Sequence, residues 1–193
     1  MFENIIKNVH NRHPLIHCIT NYVSINDCAN IVLACGGAPI MAEDINEVSQ
    51  ITSICQGLDI NIGMLNDNKL SSMLKAGATA NELGIPVILD PVGAGSSDYR
   101  IKAVQNLMSN VQFGVIRGNV SEIKAIAAKQ GIHNIAAGVY ETMQKNKSAM
   151  GVEAGIADKI TDDNIKEMAD FINKLSQKTG AVIAVTGRID MVA

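Results

Sequence analysis

Short apolar runs alternate with longer amphipathic segments along the whole chain. The short runs predict buried strands, and the segments with apolar residues every three or four positions predict helices. Strands separated by helices favour an α/β fold, with a mainly parallel sheet and helices on both of its faces. The predicted strands are 15–19, 38–41, 58–62, 87–89, 114–116 and 181–185, and the predicted helices are 2–11, 24–35, 48–56, 67–83, 99–109, 120–129, 137–148 and 162–179.

The pattern also predicts how the chain is organised. A length of 193 residues favours one domain that covers residues 1–193. The region 130–163 is the least periodic, and we interpret it as a surface elaboration of that domain. Ser24 is predicted to cap the helix that it opens, because a serine oxygen can accept from the free amides of a first turn. Gly84 is predicted to end the helix before it, because glycine adopts the left-handed conformation without strain.

Composition and charge exclude several classes of protein. Hydrophobic residues make up 47% of the chain and aromatic residues only 3%, so aliphatic side chains must fill the core. A net charge of −3 without a long basic run argues against binding to nucleic acid or to an anionic membrane. No apolar stretch has the length of a membrane span, and the first residues lack the pattern of a secretory signal. We therefore expect a cytoplasmic protein.

The cysteines lack metal-site spacing, whereas the histidines have spacings that a metal could use. The four cysteines are Cys18, Cys28, Cys35 and Cys55. They form no Cys-x-x-Cys pair, so we expect reduced, buried thiols. Three histidines lie near the start of the chain, at His10, His13 and His17. Pro14 breaks any helix that would align them, and we expect them at the surface or at a strand end.

Polar clusters follow most of the predicted strands. Because parallel strands end at the same edge of a sheet, such clusters converge there, where α/β proteins place their sites. The clusters are 20–21, 41–43, 61–63, 90–95, 117–119 and 186–187.

The cluster that begins at Asp90 carries the clearest chemical signal. Asp90 follows a buried apolar run, and a carboxylate at such a position is costly unless it is paired. Gly93 and Gly95 follow in the next turn, where glycines would let backbone amides approach an anion. A carboxylate beside exposed amides suits a metal–phosphate complex. We interpret this turn as part of a phosphate-handling site.

A second signal lies at Arg117 and Glu122. The guanidinium of Arg117 is suited to phosphate oxygens, and a carboxylate at Glu122 could hold Mg²⁺ directly or through water. A structural interpretation of Glu122 is equally open, because Asn119 and Glu122 have the spacing of a helix-capping box. The chain has no Gly-x-x-x-x-Gly-Lys-Ser/Thr loop and no complete dinucleotide fingerprint. These absences argue against a P-loop enzyme and against hydride transfer.

Several colinear segments together resemble the hydroxyethylthiazole kinase family. Residues 14–26, Pro-Leu-Ile-His-Cys-Ile-Thr-Asn-Tyr-Val-Ser-Ile-Asn, continue to 36–42, Gly-Gly-Ala-Pro-Ile-Met-Ala, and resemble its N-terminal signature. Residues 88–95, Ile-Leu-Asp-Pro-Val-Gly-Ala-Gly, resemble its acidic strand end. Residues 115–123, Val-Ile-Arg-Gly-Asn-Val-Ser-Glu-Ile, and 185–187, Val-Thr-Gly, resemble its nucleotide segments. The first signature is long and particular to this family, whereas the others are shared with the wider ribokinase-like group.

The resemblance implies a ribokinase-like fold and a defined reaction. It implies ATP- and Mg²⁺-dependent phosphorylation of the hydroxyl of 4-methyl-5-(2-hydroxyethyl)thiazole in thiamine salvage, by a homotrimer with sites between its subunits. Carried over by position, Met41 would bind the thiazole, and Asn21, Val23 and Gly63 would line its pocket. The resemblance assigns the nucleotide side to Arg117 and Thr186, which would bind ATP, and to Asp90 and Glu122, which would organise Mg²⁺. Arg117 would also stabilise the charge on the transferred phosphoryl group.

The resemblance also implies a Thr-Gly-x-Gly-Cys loop, which these 193 residues do not contain. None of the four cysteines inherits its role. We therefore expect the fold to lack the family's C-terminal part and the polypeptide as written to be a poor catalyst, since the phosphoryl-binding amides are missing. Two alternatives stay open: a related small-alcohol kinase acting on a hydroxymethylpyrimidine or pyridoxal-type substrate, and a catalytically impaired binding module.

Overall fold

The computed structural model describes residues 2–132 and 160–193. The predicted helix 137–148 and most of the predicted surface elaboration lie outside these residues. The chain divides into two compact units. Unit 1 comprises Met1–Leu89 with Asn110–Gln112, and unit 2 comprises Asp90–Ser109 with Phe113–Ala193. The expectation of a single domain stays a prediction.

Unit 1 is built from alternating helices and parallel strands. Its elements are α1 (Phe2–Arg12), β1 (Leu15–Ile19), α2 (Ile25–Ala34), β2 (Ala38–Ile40), α3 (Val48–Ile54), β3 (Gly57–Asn61), α4 (Asp67–Glu82) and β4 (Val87–Asp90). The strands follow the order β2-β1-β3-β4. Strand β1 pairs in parallel with both β2 and β3, and Cys18 lies beside Asp59 in the register with β3. The predicted strands of this unit are therefore confirmed, with ends that differ by at most one residue.

The core of unit 1 comes from the apolar runs of its strands. Ile19, Leu58, Ile60 and Leu89 are each no more than 1% exposed. In β3 the buried positions alternate with partly exposed ones, as expected for a strand with two different faces. This alternation leaves Asp59 and Asn61 on the partly exposed face, where polar chemistry is available.

Helix α4 combines a capped start with a closely packed middle. The side chain of Asn66 accepts from the Lys69 amide at 2.9 Å and so satisfies a free N–H of the first turn. Gly77 sits in the helix interior, where glycine costs about 1 kcal/mol relative to alanine. A Cβ at this position would lie 2.5 Å from Val111 Cγ2, so only glycine allows this close approach. Gly84 has φ +67° and ends the helix as predicted.

Helix α2 combines an apolar sequence with high exposure. It is rich in Ile, Val, Leu and Ala, yet within the described part of the chain none of its residues is buried. Ile31 and Leu33 are 61% and 55% exposed. Ser24 occupies the N-cap position but makes no capping bond, because its hydroxyl donates to Asn21 Oδ1 instead. The predicted position of this cap is right and its predicted contact is wrong.

Unit 2 has a shorter set of strands. Its elements are α5 (Asp98–Asn110), whose last residue groups with unit 1, β5 (Val115–Asn119), α6 (Val120–Lys129), α7 (Ile165–Thr179), β6 (Val182–Thr186) and β7 (Met191–Val192). The strands follow the order β5-β6-β7, with β5 parallel and β7 antiparallel to β6. Helix α7 buries Met168, Phe171, Ile172 and Leu175, which recur at helical spacing along one face. The predicted α/β class with a mainly parallel sheet is confirmed.

Strand β5 is longer than its apolar run predicts. The pattern places Arg117 and Asn119 after the strand, but both belong to it. The reason is pairing: β5 stays in register with β6 up to Asn119 opposite Thr186. Backbone hydrogen bonding therefore carries the strand through polar residues.

The buried polar groups also correct two expectations. His17 is fully buried in the middle of β1 and is neither at the surface nor at a strand end. All four cysteines are free, but only Cys18 and Cys55 are buried, and Cys35 is exposed.

Among the described residues, no helix has both the length and the apolar character needed to span a membrane.

Candidate functional site

In unit 2, Asp90 and Arg117 form an ion pair. Arg117 Nη1 donates to Asp90 Oδ2 at 3.4 Å. The Asp90 side chain is 19% exposed and that of Arg117 is 54% exposed. An ion pair that water reaches is worth about 0–1 kcal/mol. Arg117 can therefore leave Asp90 for another anion at little cost.

Glu122 is a fixed carboxylate in the first turn of α6. Its Oε2 accepts from the Asn119 amide at 2.8 Å, while Asn119 Oδ1 accepts from the Glu122 amide at 2.9 Å. This is a complete capping box, so the structural role of Glu122 is real. Its other oxygen, Oε1, accepts from the Gly93 amide at 2.9 Å. Two backbone amides thus set the position of both carboxylate oxygens.

The strand beside Glu122 approaches it closely. A Cβ on Gly118 would lie 3.0 Å from Glu122 Oε2 and 3.2 Å from Glu122 Cβ. A larger residue would push the carboxylate away from its amide partners. The absence of a side chain at Gly118 therefore lets Glu122 keep its position.

The glycine turn after β4 differs from the expected anion cradle. Gly93 adopts φ +66°, as the turn requires, but its amide donates to Glu122. The amides of Ala94 and Ser96 donate to carbonyls within the same turn. The anion at the Gly93 amide is therefore a carboxylate of the chain itself. The turn holds Glu122 beside the segment that begins at Asp90.

Thr186 ends β6 next to this cluster. It lies opposite Asn119 in the strand register, and its hydroxyl donates to the Gly118 carbonyl at 3.4 Å. Unit 2 thus contains all four residues that are predicted to bind ATP or Mg²⁺, and hydrogen bonds or an ion pair connect them to neighbouring segments. The four residues are Asp90, Arg117, Glu122 and Thr186.

The carboxylates of this cluster have the chemistry that a magnesium ion requires. Mg²⁺ is commonly held by one or two carboxylates together with substrate phosphates. Each carboxylate oxygen has room for two hydrogen bonds or ligands, so Glu122 keeps acceptor capacity beyond its amide partners. Asp90 and Glu122 together supply this donor set, and the residues fit the ion.

In unit 1, two asparagines connect the ends of β1 and β3. Asn21 Nδ2 donates to Asn61 Oδ1 at 3.2 Å, and the Gly63 amide donates to the same oxygen at 2.8 Å. Asn21 Oδ1 accepts from the amide of Ser24 at 3.0 Å. A Cβ on Gly63 would lie only 2.9 Å from Asn61 Oδ1. The structure therefore brings Asn21 and Gly63 together around Asn61, and their role in a thiazole pocket stays a prediction.

Lys69 is a buried cation at the start of α4. It is 3% exposed, and its ammonium lies 2.8 Å from Glu43 Oε2 and donates to the Thr20 carbonyl. The ammonium also lies 4.5 Å from the centre of the Tyr22 ring. Tyr22 in turn donates its hydroxyl to Glu43. Lys69 thus ties the loop after β1 to the loop after β2.

These contacts change the acidity of Glu43. Burial alone would raise its pKa. The hydrogen bonds from Lys69 and Tyr22, together with the charge of Lys69, outweigh that effect, so the pKa of Glu43 is lowered. The hydrogen bond to Glu43 raises the pKa of Tyr22. Glu43 is therefore held as a carboxylate.

His17 supports the loop after β2 from within the core. Its Nε2 lies 2.8 Å from the Ala42 carbonyl, which can only accept, so this nitrogen carries a proton. Its Nδ1 lies 2.9 Å from Thr52 Oγ1. Burial lowers the pKa of His17, against smaller upward effects from the Ala42 carbonyl and Glu47. A neutral imidazole thus fixes the backbone between Met41 and Glu43.

Met41 and Val23, two of the predicted thiazole-binding residues, differ in their exposure. Met41 is half-buried beside the fixed loop, whereas Val23 is 89% exposed. A cavity of about 540 Å³ lies beside the start of α4, and neither residue lines it. Its walls are Glu43, Asp44, Ile45, Asn66, Asn68, Lys69, Ser71 and Ser72.

Sequence reasoning missed Lys69, although the chain carries a signal for it. Lys69 stands at helical spacing from Ser72, Met73 and Ala76, all of which are buried. A lysine within such a buried stripe needs a partner, because an unpaired buried charge is costly. The partner itself is not predictable from spacing.

The chain resembles known proteins over nearly its whole length. Residues 6–193 match the sequence model of the "Hydroxyethylthiazole kinase family". The hydroxyethylthiazole kinase of Clostridium acetobutylicum is 52% identical over 193 residues, which cover 100% of this chain and 65% of that protein. The enzyme of Desulfovibrio desulfuricans is 45% identical over 193 residues, covering 100% of this chain and 62% of that protein.

A solved structure gives the same result. The hydroxyethylthiazole kinase protein from Pyrococcus horikoshii OT3 aligns with a TM-score of 0.79 and 30% identity, covering 98% of this chain and 62% of that one. The chain thus spans slightly less than two thirds of the length of these relatives. Their names do not favour a pyrimidine or pyridoxal kinase. By sequence and by fold, the chain belongs to the hydroxyethylthiazole kinase family.

Proposed function

We propose that the protein phosphorylates the hydroxyl of 4-methyl-5-(2-hydroxyethyl)thiazole with ATP, in thiamine salvage. Membership of the family supports the reaction class. The observation that carries the proposal is the Asp90–Arg117 pair at 3.4 Å, whose cation is half exposed. A weakly held guanidinium beside carboxylates suits the binding of a nucleotide's phosphates.

Arg117 is the proposed phosphate-binding cation. In phosphoryl transfer, negative charge spreads over the transferred oxygens, so catalysis consists mostly of positioning and electrostatic stabilisation. Arg117 exchanges Asp90 for phosphate oxygens when ATP binds, and this exchange forfeits an ion pair worth about 1 kcal/mol or less. Thr186, which ends the neighbouring strand, offers a hydroxyl for the same nucleotide.

Asp90 and Glu122 are the proposed holders of Mg²⁺. Bound there, the ion would neutralise charge on the phosphates. Glu122 is suited to hold an ion in place because both of its oxygens are already fixed by backbone amides. Asp90 would exchange its contact with Arg117 for the ion when Arg117 turns to phosphate.

The residues proposed to bind the thiazole alcohol lie in unit 1. Met41 would bind the ring, and Asn21, Val23 and Gly63 would line its pocket. The Asn21–Asn61 and Gly63–Asn61 hydrogen bonds support a preformed wall at this position. His17 and Lys69 support the loop that carries Met41, through the Ala42 carbonyl and Glu43.

A cytoplasmic homotrimer with sites between subunits is part of the proposal. Helix α2 exposes Ile31 and Leu33, and Val23 is 89% exposed. Large exposed apolar side chains that cluster on one element are typical of interaction surfaces. A second copy that covers α2 would also supply the missing side of the pocket at Val23.

The decisive experiment measures ADP release by the natural-length protein with three alcohols. These are the thiazole alcohol, hydroxymethylpyrimidine and pyridoxal. We expect turnover with the thiazole alcohol, and its loss in Asp90→Asn. The matched control is Asp98→Asn, an exposed carboxylate at the start of α5, which should keep wild-type rates. Preference for either other alcohol, or full activity of Asp90→Asn, would contradict the proposal.

The same assay also tests the 193-residue polypeptide. Because its sequence contains no Thr-Gly-x-Gly-Cys segment, we expect slow turnover from it alone. Binding of ATP by this polypeptide, measured by calorimetry, should still depend on Arg117. Turnover equal to that of the natural-length protein would contradict the expected loss of catalysis.

A further inference from the structure

Three potential metal ligands converge in unit 1, and none of them is a carboxylate proposed for Mg²⁺. The sulfurs of Cys18 and Cys28 and a carboxylate oxygen of Asp59 all lie within 4.8 Å of one another. They come from β1, α2 and β3, and no spacing rule relates them. Sequence reasoning therefore had no pattern by which to find them.

The topology of the sheet creates this convergence. Cys18 and Asp59 are neighbours in the parallel register of β1 and β3, so their side chains lie on the same face. Helix α2 brings the sulfur of Cys28 to within 4.8 Å of the Cys18 sulfur and an Asp59 oxygen. Cys18 is 2% exposed, whereas Cys28 and Asp59 are only partly buried. The cluster thus has one buried ligand and two ligands that solvent partly reaches.

Electrostatics suggests what the cluster can bind. Burial raises the pKa of Cys18, and the charge of Asp59 and the neighbouring thiols raise it further. Burial and Asp59 also raise the pKa of Cys28, against a smaller downward effect of its hydrogen bond with Cys18. The negative charge of Asp59 therefore opposes the ionisation of both thiols. A cation between them would reverse this opposition and stabilise the thiolates.

The donor set selects the kind of cation. Thiolates favour soft and borderline metals such as Zn²⁺ over Mg²⁺ and Ca²⁺. With Zn–S bonds of about 2.3 Å, tetrahedral geometry places two sulfurs about 3.8 Å apart. The present spread of up to 4.8 Å is within about 1 Å of that value. Three protein ligands would leave a fourth position for water.

We propose that Cys18, Cys28 and Asp59 form a binding site for one Zn²⁺ ion. The site joins α2 to the two strands beneath it. Binding releases the thiol protons, including the one that Cys18 now directs to the Ile16 carbonyl. Because the ion binds only the folded chain with all three ligands in place, it stabilises unit 1.

Co²⁺ is the spectroscopic probe, added to the purified natural-length protein under a reductant that does not bind metals. We expect one equivalent to give a thiolate-to-cobalt absorption band, and one equivalent of Zn²⁺ to abolish the band. Zn²⁺ should also raise the melting temperature. Cys28→Ser and Asp59→Asn should each weaken Zn²⁺ binding by more than the roughly 10–100-fold that a lost supporting contact costs.

The matched control is Cys35→Ser, an exposed cysteine outside the cluster, which should bind both ions as the wild type does. Cys28 and Asp59 carry the test because Cys18, at 2% exposure, is needed for packing. Circular dichroism checks that each variant is folded. Absence of the band, or equal loss of binding in Cys35→Ser, would overturn the proposal. Since no step requires turnover, the result is independent of the proposed kinase activity.

Discussion

Lys69 in unit 1 and Arg117 in unit 2 are both cations paired with a carboxylate, but their surroundings differ. Lys69 is 3% exposed and has Glu43, the Thr20 carbonyl and the Tyr22 ring as partners. Arg117 is 54% exposed and meets Asp90 at the longer distance of 3.4 Å. A buried and well-satisfied cation is costly to disturb, whereas an exposed one can change partner. The first arrangement serves stability, and the second is the one that we propose for phosphate binding.

The largest expected effect separates these roles at Arg117. Arg117→Ala should lower turnover of the thiazole alcohol by about 10²–10³-fold. The variant lacks the guanidinium that would stabilise negative charge on the transferred phosphoryl group. Stability should change by about 1 kcal/mol or less, since the lost ion pair is exposed. Steady-state kinetics and urea unfolding measure the two quantities. Arg12→Ala, at the end of α1, is the control, and a wild-type rate in Arg117→Ala would place the phosphate elsewhere.

The opposite result is expected at Lys69. Lys69→Met should lower the free energy of unfolding by about 2–4 kcal/mol, because the Thr20 carbonyl and Glu43 lose their buried partner. The matched control is Lys75→Met, an exposed lysine further along α4, for which little change is expected. Urea unfolding measures both variants. Equal stability of the two would mean that the Lys69 contacts are not worth more than a surface contact.

A smaller effect tests the hydrogen bonds that hold Glu122 in the capping box. Asn119→Ala should cost about 1 kcal/mol, because α6 loses the side chain that caps its Glu122 amide. Activity should also fall, since the capping box holds the carboxylate proposed for Mg²⁺. A shift in the Mg²⁺ concentration needed for half-maximal rate would reveal this positioning role. An unchanged Mg²⁺ dependence, despite the lost stability, would leave Glu122 as a helix cap alone.

The smallest effect concerns pH and His17. Its pKa in the folded protein lies below the ordinary value of 6.5, so between the two values the unfolded chain binds more protons. Stability therefore rises with pH through this window and falls as the pH is lowered through 6.5. His17→Gln should flatten this dependence of the melting temperature. His10→Gln, on exposed α1, should keep the wild-type slope, and an equal slope in His17→Gln would contradict the assignment.

The contrast between the units also explains what the sequence could predict. Asn119 and Glu122 are three residues apart, so their capping box is visible as a local pattern. Asp90 stands out because it ends an apolar run, and the resemblance then supplies roles for both carboxylates. In contrast, the partner of Lys69 at Thr20 is 49 residues away along the chain. Only the fold brings such groups together.

The fold was predictable to a similar extent. Apolar periodicity located the strands that form the core, because burial of those runs stabilises the sheet. It missed β7, a two-residue strand that forms by antiparallel pairing with β6. It also ended β5 too early, because Arg117 and Asn119 continue the ladder through backbone bonds that ignore side-chain polarity.

Gly77 and Val111 carry a consequence for how this lineage can vary. A methyl group at position 77 would meet both branches of Val111, at 2.5 and 2.8 Å. Alanine there would strengthen the helix by about 1 kcal/mol, but only after position 111 has become smaller. A substitution of Gly77 by alanine must therefore follow a substitution of Val111 by a smaller residue. The two positions should vary together among descendants.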